Sequence, residues 1–352
     1  MKFIHIADVH LGAIPDTGKP WSKDRKKEIW NAFENVIHTA NQERVDLLLI
    51  AGDLIHRQPL LRELKEVNYL FSTLAHTRVV LIAGNHDYLK PTSYYHTFKW
   101  NDNVFFLKEK QLQSIYFEDI NTQVYGLSYH SQEIPDPLYD NANPVSCTDR
   151  INILLAHGGD SKHVPIDNRK LADSQFDYIA LGHIHMGHII CPDKMAFAGA
   201  LEPMNVNDTG VHGYIKGIYQ QNRISIEFVP AATRSYIHLE IKSNSQMTGL
   251  QLEREIQNRI NELGNDNIYK ITIIGFRDPE MIFEFEDLES IGNIVELLDL
   301  TEPEFDFEKL KKQYQRSLIG KYIEEFTNKE MDYTEQKALY YGVDALLKSM
   351  NN

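Results

Sequence analysis

The stretch that decides the fold is residues 78–87, RVVLIAGNHD, in which an apolar run ends in a polar, turn-forming segment. Two earlier stretches have the same form, since residues 2–12 read KFIHIADVHLG and residues 46–53 read DLLLIAGD. Each run is apolar and not alternating, which is typical of a parallel strand buried on both faces. Helical patterns at residues 24–44 and 61–76 separate the three runs. The order strand, helix, strand, helix, strand predicts an α/β fold with a parallel sheet.

Side chains that can bind metal ions follow five of the predicted strands. Besides the three runs above, residues 151–156 lead into His157 and residues 177–182 lead into His183. The side chains concerned are Asp8, His10, Asp53, Asn85, His86, Asp87, His157, His183 and His185. The ligand crevice of an open α/β sheet lies beyond the carboxyl ends of its strands, so we expect these clusters to converge.

Each cluster alone has an ordinary structural explanation, because a single histidine at a strand end or a lone Gly-Asp pair is common. The ordered set of five clusters is what predicts a metal centre. Carboxylates, imidazoles and an amide oxygen together suit Mn, Fe or Zn better than Mg or Ca. A central carboxylate could bridge two ions about 3.5–4 Å apart, the spacing of two-metal sites for phosphoryl transfer.

The composition is that of a folded globular protein. The chain has 352 residues, of which 42% are hydrophobic and 24% charged, and its length predicts about two domains. The net charge is −14, and residues 1–230 and 231–352 are both acidic, so neither half is a basic nucleic-acid-binding domain by bulk charge. A polyanion would need bound cations or a local basic patch. Two cysteines exclude a disulfide framework and favour a reducing, cytoplasmic compartment. We expect neither a signal peptide nor a transmembrane helix, because no apolar run approaches about 18 residues.

The sequence pattern changes near residue 232. We expect the α/β domain to occupy residues 1–232 and a small α+β capping domain to occupy residues 233–300. A helical tail follows at residues 301–352, with two amphipathic helices predicted at 308–327 and 334–350.

The ordered motifs resemble those of calcineurin-like metallophosphoesterases, over roughly residues 1–230. Within that superfamily the chain looks most like SbcD-type DNA repair exonuclease subunits, especially the YhaO-like branch. The narrower resemblance comes from IADVHLG at residues 6–12, GDLIHRQP at residues 52–59 and the extra domain after residue 232. It implies an αββα sandwich and hydrolysis of DNA phosphodiesters by a hydroxide that bridges two metal ions. The expected mode is exonuclease action, and endonuclease action on single strands or hairpins is the alternative.

The resemblance also implies a role for each motif residue. One ion, expected to be Mn²⁺, would be held by Asp8, His10, Asp53 and His185, and a second by Asp53, Asn85, His157 and His183. Asp53 would bridge the two ions. His86 would protonate the leaving oxygen, and His56 stands where the family places the partner of that histidine. The family's phosphatases usually have Asp at the position of His56.

Four further residues are candidate substrate contacts. Lys23 and Arg25 lie in a basic segment between Trp21 and Trp30, where they could contact a phosphate backbone with Trp21 as a stacking surface. An ordinary solvated helix start explains that segment equally well. The other two candidates are Arg57 and His212.

Partners and alternative functions remain open at this point. The helix at 61–76 could form a homodimer contact, as the resemblance suggests, or pack on its own sheet. The helices at 308–327 and 334–350 could dock on an SbcC-like coiled-coil ATPase or on the small domain. A phosphatase or cyclic-nucleotide phosphodiesterase is the enzymatic alternative, and His56 and the extra domain argue against it. A scaffold for the ATPase is the non-enzymatic alternative, although no motif position is missing.

Overall fold

The structure is a computed structural model of a chain that forms two compact units, Met1–Tyr236 and Ile237–Asn352. The described residues are 1–145, 150–281, 283, 291–327 and 330–351. The domain limits predicted at 232 and 300 remain predictions.

The first unit contains twelve strands and three α-helices among its described residues. The strands are β1 (Lys2–Ile6), β2 (Leu47–Ala51), β3 (Arg78–Ile82), β4 (Val104–Phe106), β5 (Gln113–Phe117), β6 (Thr122–Gly126), β7 (Ile151–His157), β8 (Tyr178–Gly182), β9 (His188–Cys191), β10 (Met195–Phe197), β11 (Gly213–Gln220) and β12 (Arg223–Pro230). The helices are α1 (Ser22–Gln42), α2 (Leu61–Ser72) and α3 (Asn168–Ala172).

The strands form two six-stranded sheets. The first sheet has the order β12-β11-β1-β2-β3-β4, with β1 to β4 parallel and β11 and β12 added as an antiparallel hairpin. The second has the order β5-β6-β7-β8-β10-β9, with β6, β7, β8 and β10 parallel. The predicted parallel α/β sheet is therefore confirmed. Strands β4 to β6 were not predicted.

The two sheets face each other across a shared apolar core. Leu49 and Val80 of the first sheet lie in one buried cluster with Ile153 and Leu155 of the second. Helix α1 covers the outer face of the first sheet, where Phe33 packs in a second cluster, and α3 packs in a third cluster on the second sheet. These layers form the expected αββα sandwich. Both sheets expose the carboxyl ends of their parallel strands, and the polar loops leave from those ends.

The second unit has a small sheet with a helix on it. The strands are β13 (Tyr236–Ser243), β14 (Ile268–Arg277), β15 (Ile294–Asp299) and β16 (Glu302–Pro303), and the helix is α4 (Gly249–Leu263). The sheet order is β13-β14-β15, and β16 also pairs with β14. Ile256 and Ile260 on one side of α4 pack in a buried cluster with Ile271 of the sheet. The capping box of Thr248 and Gln251 begins this helix.

In the part of this region that the structure describes, three helices follow, α5 (Phe307–Gln313), α6 (Leu318–Thr327) and α7 (Tyr333–Asn351). The prediction of one helix over 308–327 is wrong, because the chain turns between α5 and α6. Ser317 N–H donates to Tyr314 O at 2.8 Å in that turn. Among the described residues, no helix is long and apolar enough to cross a membrane.

Candidate metal centre

The seven residues predicted as metal ligands lie together at the carboxyl ends of parallel strands. Each is within four positions of a strand end. Three of the five strands belong to the first sheet and two to the second. They are Asp8 and His10 after β1, Asp53 after β2, Asn85 after β3, His157 at the end of β7, and His183 and His185 after β8. The common direction of these strands brings residues that are distant in the sequence into one crevice.

The backbone turns sharply where several of these residues leave the sheets. Asp8, His10, Asp53 and His183 have φ values of 50°, 51°, 50° and 95°. Residues other than glycine seldom adopt positive φ, which costs roughly 1–3 kcal/mol each, and such residues cluster at functional sites. Asp8 N–H donates to Gly52 O at 3.2 Å, and His10 N–H donates to the Asp53 carbonyl at 3.0 Å. These hydrogen bonds hold the turns that aim the side chains into the crevice.

Two glycines let the side chains approach one another. A Cβ atom at Gly84 would lie 2.3 Å from Asp53 Oδ1, and a Cβ atom at Gly52 would lie 2.3 Å from His157 Nδ1. Any larger residue at either position would displace a predicted ligand. Gly52 also has a φ of 90°, which glycine adopts without strain.

The first cluster of ligand atoms comprises Asp8, His10 and His185, with Asp53 beside it. His10 Nε2 lies 3.0 Å from His185 Nε2 and 4.0 Å from Asp53 Oδ2. Ligand atoms of Asp8, His10 and His185 all lie within 4.8 Å of one another. Two imidazole nitrogens that face each other this closely either share one proton or bind the same cation.

The second cluster comprises Asp53, Asn85, His157 and His183. Asn85 Oδ1 is 2.9 Å from His157 Nε2 and 3.1 Å from His183 Nδ1. His157 Nε2 is 3.4 Å from Asp53 Oδ2, the oxygen that also faces His10. Asp53 therefore lies between the two clusters, which is the position expected of a bridging carboxylate.

Burial and charge shift the two carboxylates of the crevice in opposite directions. Burial raises the pKa of Asp8 to about 6, although the nearby histidines oppose the shift. Burial also opposes ionisation of Asp53, but the charge and hydrogen bond of His157 hold the pKa of Asp53 well below its usual range. The pKa of His157 is raised to about 9, because the charge of Asp53 outweighs the cost of burial. Since buried carboxylates need a positive partner, the crevice favours cations.

The calcineurin-like phosphoesterase family model matches residues 1–187. The chain belongs to this family. Among curated relatives, the uncharacterized metallophosphoesterase YhaO of Bacillus subtilis is 26% identical over 308 residues, 81% of this chain and 74% of that protein. The SbcD component of the nuclease SbcCD of Staphylococcus epidermidis is 22% identical, and the match covers 99% of both chains. The DNA double-strand break repair protein Mre11 of Aeropyrum pernix is 25% identical over 60% of this chain and 56% of that protein.

The metallophosphoesterase fold uses divalent metal ions, and the crevice residues fit such ions. Each cluster combines carboxylate oxygen with imidazole nitrogen, and the second adds the amide oxygen of Asn85. This mixed oxygen and nitrogen set suits Mn, Fe or Zn. Asp8, His10, Asp53 and His157 are each at most 1% exposed, so their ligand atoms are already withdrawn from water.

Two carboxylates beside the clusters were not predicted from the sequence. Asp160 Oδ2 lies 2.8 Å from His183 Nε2, and Asp208 Oδ2 lies 2.8 Å from His185 Nδ1. Asp160 follows His157 by only three positions, so its closeness to the end of β7 could have indicated that it lies near the crevice. Asp208 lies in the connection between β10 and β11 and had no such signal.

His86 and His56 lie side by side at the edge of the clusters. His86 is exposed, and its Nδ1 donates to the His56 carbonyl at 2.9 Å. The two rings stack with centroids 5.2 Å apart and an interplanar angle of 26°. His56 Nδ1 lies 3.4 Å from His10 Nδ1. His56, the predicted partner of His86, therefore contacts His86 through its backbone carbonyl and the face of its ring. The Nδ1 atom of His56 faces His10, a predicted metal ligand.

Asp87 connects the two loops that carry these histidines. Its carboxylate is buried and accepts hydrogen bonds from Gly84 N–H at 2.8 Å, Ile55 N–H at 3.2 Å and the Tyr95 hydroxyl at 2.8 Å. Ile55 directly precedes His56, and Gly84 lies two residues before His86. Asp87 thus fixes the loop after β2 relative to the loop after β3.

The prediction that Arg25 contacts a substrate is wrong in this structure. Arg25 is fully buried, and its guanidinium pairs with Glu28 at 2.5 Å and Glu202 at 3.3 Å. It also donates to Pro203 O at 2.6 Å. Trp21 is buried too, at 5% exposure, so it offers no stacking face. The basic segment therefore contributes to the core at these positions.

The other three candidate substrate contacts differ in exposure. His212 is 1% exposed, and both ring nitrogens face backbone carbonyls, at 3.3 and 3.1 Å, so the predicted substrate contact does not fit this residue. Lys23 is exposed on α1. Arg57 is about half exposed and pairs with Glu63 at 3.0 Å, which neutralises part of its charge. Lys23 and Arg57 remain predictions.

Proposed function

We propose that the chain is a two-metal phosphodiesterase that cleaves DNA, chiefly as an exonuclease in DNA repair or end processing. The observation that carries the proposal is the pair of ligand clusters that share Asp53, with exposed His86 beside them. The names of the SbcD and Mre11 relatives, one a nuclease component and the other a DNA repair protein, support DNA as the substrate.

Two divalent ions, for which we propose Mn²⁺, would supply charge neutralisation and a lowered pKa of water when bound. One would be held by Asp8, His10, Asp53 and His185, and the other by Asp53, Asn85, His157 and His183. Two ions carry four positive charges, and the two aspartates return two negative ones. The crevice would then attract a phosphodiester although the whole chain has a net charge of −14.

His86 is the group we assign to the leaving oxygen. Its Nδ1 is fixed on the His56 carbonyl, so Nε2 is the nitrogen left to meet a substrate. In the imidazolium form Nε2 carries a proton that it can donate. The alkoxide released from DNA is a poor leaving group, so such a donor should matter more for DNA than for an activated ester.

A coiled-coil ATPase of the SbcC type is the partner we propose for the helices of the second unit. Ile323 and Val343 are buried in a cluster within these helices, so those side chains serve the unit's own core. Leu318, Tyr333 and Tyr341 are exposed at 67%, 74% and 67%. A docking surface would have to use the exposed set.

A homodimer contact through α2 would likewise have to use exposed side chains, because the buried ones already pack within the first unit. Leu64, Val67 and Phe71 are buried against the rest of the first unit, whereas Leu61 and Tyr69 are exposed at 41% and 69%. The packing of α2 on its own unit is thus established for three apolar residues. Only the exposed pair is left for a second copy.

The decisive test is a nuclease assay on end-labelled single-stranded and double-stranded DNA in a series of Mn²⁺, Mg²⁺ and Zn²⁺. We expect Mn²⁺-dependent shortening of the DNA and no activity in the Asp53→Asn variant. p-Nitrophenyl phosphate and bis(p-nitrophenyl) phosphate serve as comparison substrates. Preferential turnover of the monoester, with DNA left intact, would favour a phosphatase and overturn the proposal.

A further inference from the structure

Asp160 and His183 form a polar contact at the rim of the crevice. The Oδ2 atom of Asp160 lies 2.8 Å from His183 Nε2, and the other ring nitrogen, Nδ1, lies 3.1 Å from Asn85 Oδ1. His163 Nδ1 lies 2.9 Å from the same carboxylate. The ring of His183 therefore lies between the carboxylate of Asp160 and the amide oxygen of Asn85.

The chemistry of these partners allows one neutral form of His183. A carboxylate only accepts hydrogen bonds, so Nε2 must carry the proton. Nδ1 then has a lone pair, and it faces Asn85 Oδ1, which is itself an acceptor. Two acceptors that face each other at 3.1 Å are stabilised by a cation between them.

We propose that Asp160 is a positioning residue that holds His183 in the Nε2–H tautomer, so that Nδ1 is the ligand to the second metal ion. The part of the inference that concerns the ion rests on the proposed two-metal function. The part that concerns the tautomer rests only on the contacts of Asp160. Partners of this kind are known in general to fix the ring and the basicity of a histidine ligand.

An isosteric change at Asp160 should reverse the tautomer. Its Oδ1 atom accepts the backbone N–H groups of Lys162 at 2.7 Å and His163 at 2.9 Å. In Asp160→Asn the amide oxygen must take that position, which leaves the NH₂ group facing His183 Nε2. Nε2 then becomes the acceptor and the proton moves to Nδ1, where it can be donated to Asn85 Oδ1. The proton would then occupy the Nδ1 lone pair through which His183 would bind the ion.

Asp208 provides a matched comparison. Its Oδ2 atom accepts both His185 Nδ1 at 2.8 Å and the backbone N–H of Met204 at 2.8 Å. In Asp208→Asn the amide oxygen can stay at this position and still accept from His185. The same substitution should therefore preserve the tautomer of His185 while removing one negative charge.

The first measurement is the protonation of the rings by ¹⁵N-edited NMR, on metal-free protein with ¹⁵N-labelled histidine at pH 8. The His183 signals are assigned by their absence from a His183→Gln variant. We expect the Nε2–H pattern in the unaltered chain and the Nδ1–H pattern in Asp160→Asn, with His185 unchanged in Asp208→Asn. A His183 pattern that is the same before and after Asp160→Asn would overturn the proposal.

The second measurement is Mn²⁺ affinity by calorimetric titration of the metal-free chain. We expect Asp160→Asn to weaken one binding step by about 10–100-fold and Asp160→Ala to weaken it less, because alanine leaves the ring free to choose its tautomer. Asp208→Asn should lose only about threefold, and Asp136→Asn, at an exposed position that belongs to neither ligand cluster, should bind as the unaltered chain does. A larger loss in Asp160→Ala than in Asp160→Asn would show that Asp160 merely closes its loop, and would overturn the proposal.

The two measurements also separate this inference from the proposed function. If the unaltered chain binds no Mn²⁺, the two-metal proposal fails, but the NMR pattern still decides the tautomer. If both ions bind and DNA is not cleaved, the choice of substrate fails while the affinity comparison stands.

Discussion

The crevice of the first unit and the helical cluster of the second unit bury opposite kinds of side chain. The helical cluster, Phe305, Ile319, Ile323, Leu339 and Val343, is a core of apolar side chains that are at most 7% exposed. The crevice buries aspartates and histidines on strained backbone instead. Apolar burial stabilises a fold by itself, whereas buried charges need partners. The crevice therefore favours cations at a cost in stability, whereas the apolar cluster contributes stability.

The largest effect is expected from Asp53→Asn. This change removes the carboxylate that lies between the two ligand clusters, and with it one negative charge. We expect both ions to bind far more weakly and DNA hydrolysis to fall by at least about 10³-fold. Elemental analysis after dialysis against Mn²⁺ checks the first point. Two ions retained at full affinity would contradict the bridging assignment.

His86→Ala should separate binding from chemistry. A general acid contributes about 10²–10⁴-fold, so most DNA hydrolysis should be lost while both ions remain bound. The loss should be smaller on bis(p-nitrophenyl) phosphate, whose phenolate leaving group needs little protonation. The comparison is made at matched metal occupancy. Equal losses on both substrates would mean that His86 positions the phosphate instead of donating a proton.

Ile323→Ala should affect stability without affecting the ions. Ile323 is fully buried in the helical cluster, so truncation should cost about 2–5 kcal/mol in the unfolding free energy of the second unit. Leu318→Ala, at an exposed position of the same helix, should cost less than about 0.5 kcal/mol. Thermal unfolding and Mn²⁺ titration of both variants check the contrast. If Ile323→Ala unfolds like the unaltered chain, the cluster does not stabilise this unit.

Among the three substitutions in the crevice, His56→Ala should have the smallest effect on the proposed chemistry. The carbonyl that receives His86 Nδ1 belongs to the backbone of residue 56 and survives the substitution. Only the stacked ring and its contact with His10 are lost, so we expect about a tenfold fall in DNA hydrolysis, below the usual range for a general acid. Steady-state rates on DNA and on the activated diester measure it. A loss as large as that of His86→Ala would assign a direct chemical role to the His56 ring.

The sequence alone predicted the alternation of strands and helices in the first 90 residues and the side chains that could bind metal ions, whereas their assignment to two ions came from the family resemblance. Continuous apolar runs that end in polar residues have few other structural meanings, and parallel strands must place their carboxyl ends on one side. That rule predicts convergence within one sheet. Asp8 of the first sheet meets His183 of the second, at 3.1 Å from the His183 N–H to Asp8 Oδ1, because the two sheets pack face to face. The αββα layers could be expected only through the family resemblance.

Tertiary structure decided which charged and aromatic residues face the solvent. Lys23 and Arg25 lie two positions apart in the same basic segment, yet one is exposed and the other is buried with Glu28 and Glu202. Glu202 lies 177 positions from Arg25, so no local pattern could have revealed the pair. The contact of Asp208 with His185 could not be predicted for the same reason, because only the folded chain brings the loop of Asp208 to His185. Local sequence specifies strands and ligand types, but the partners of a buried charge are set by chain segments that meet only after folding.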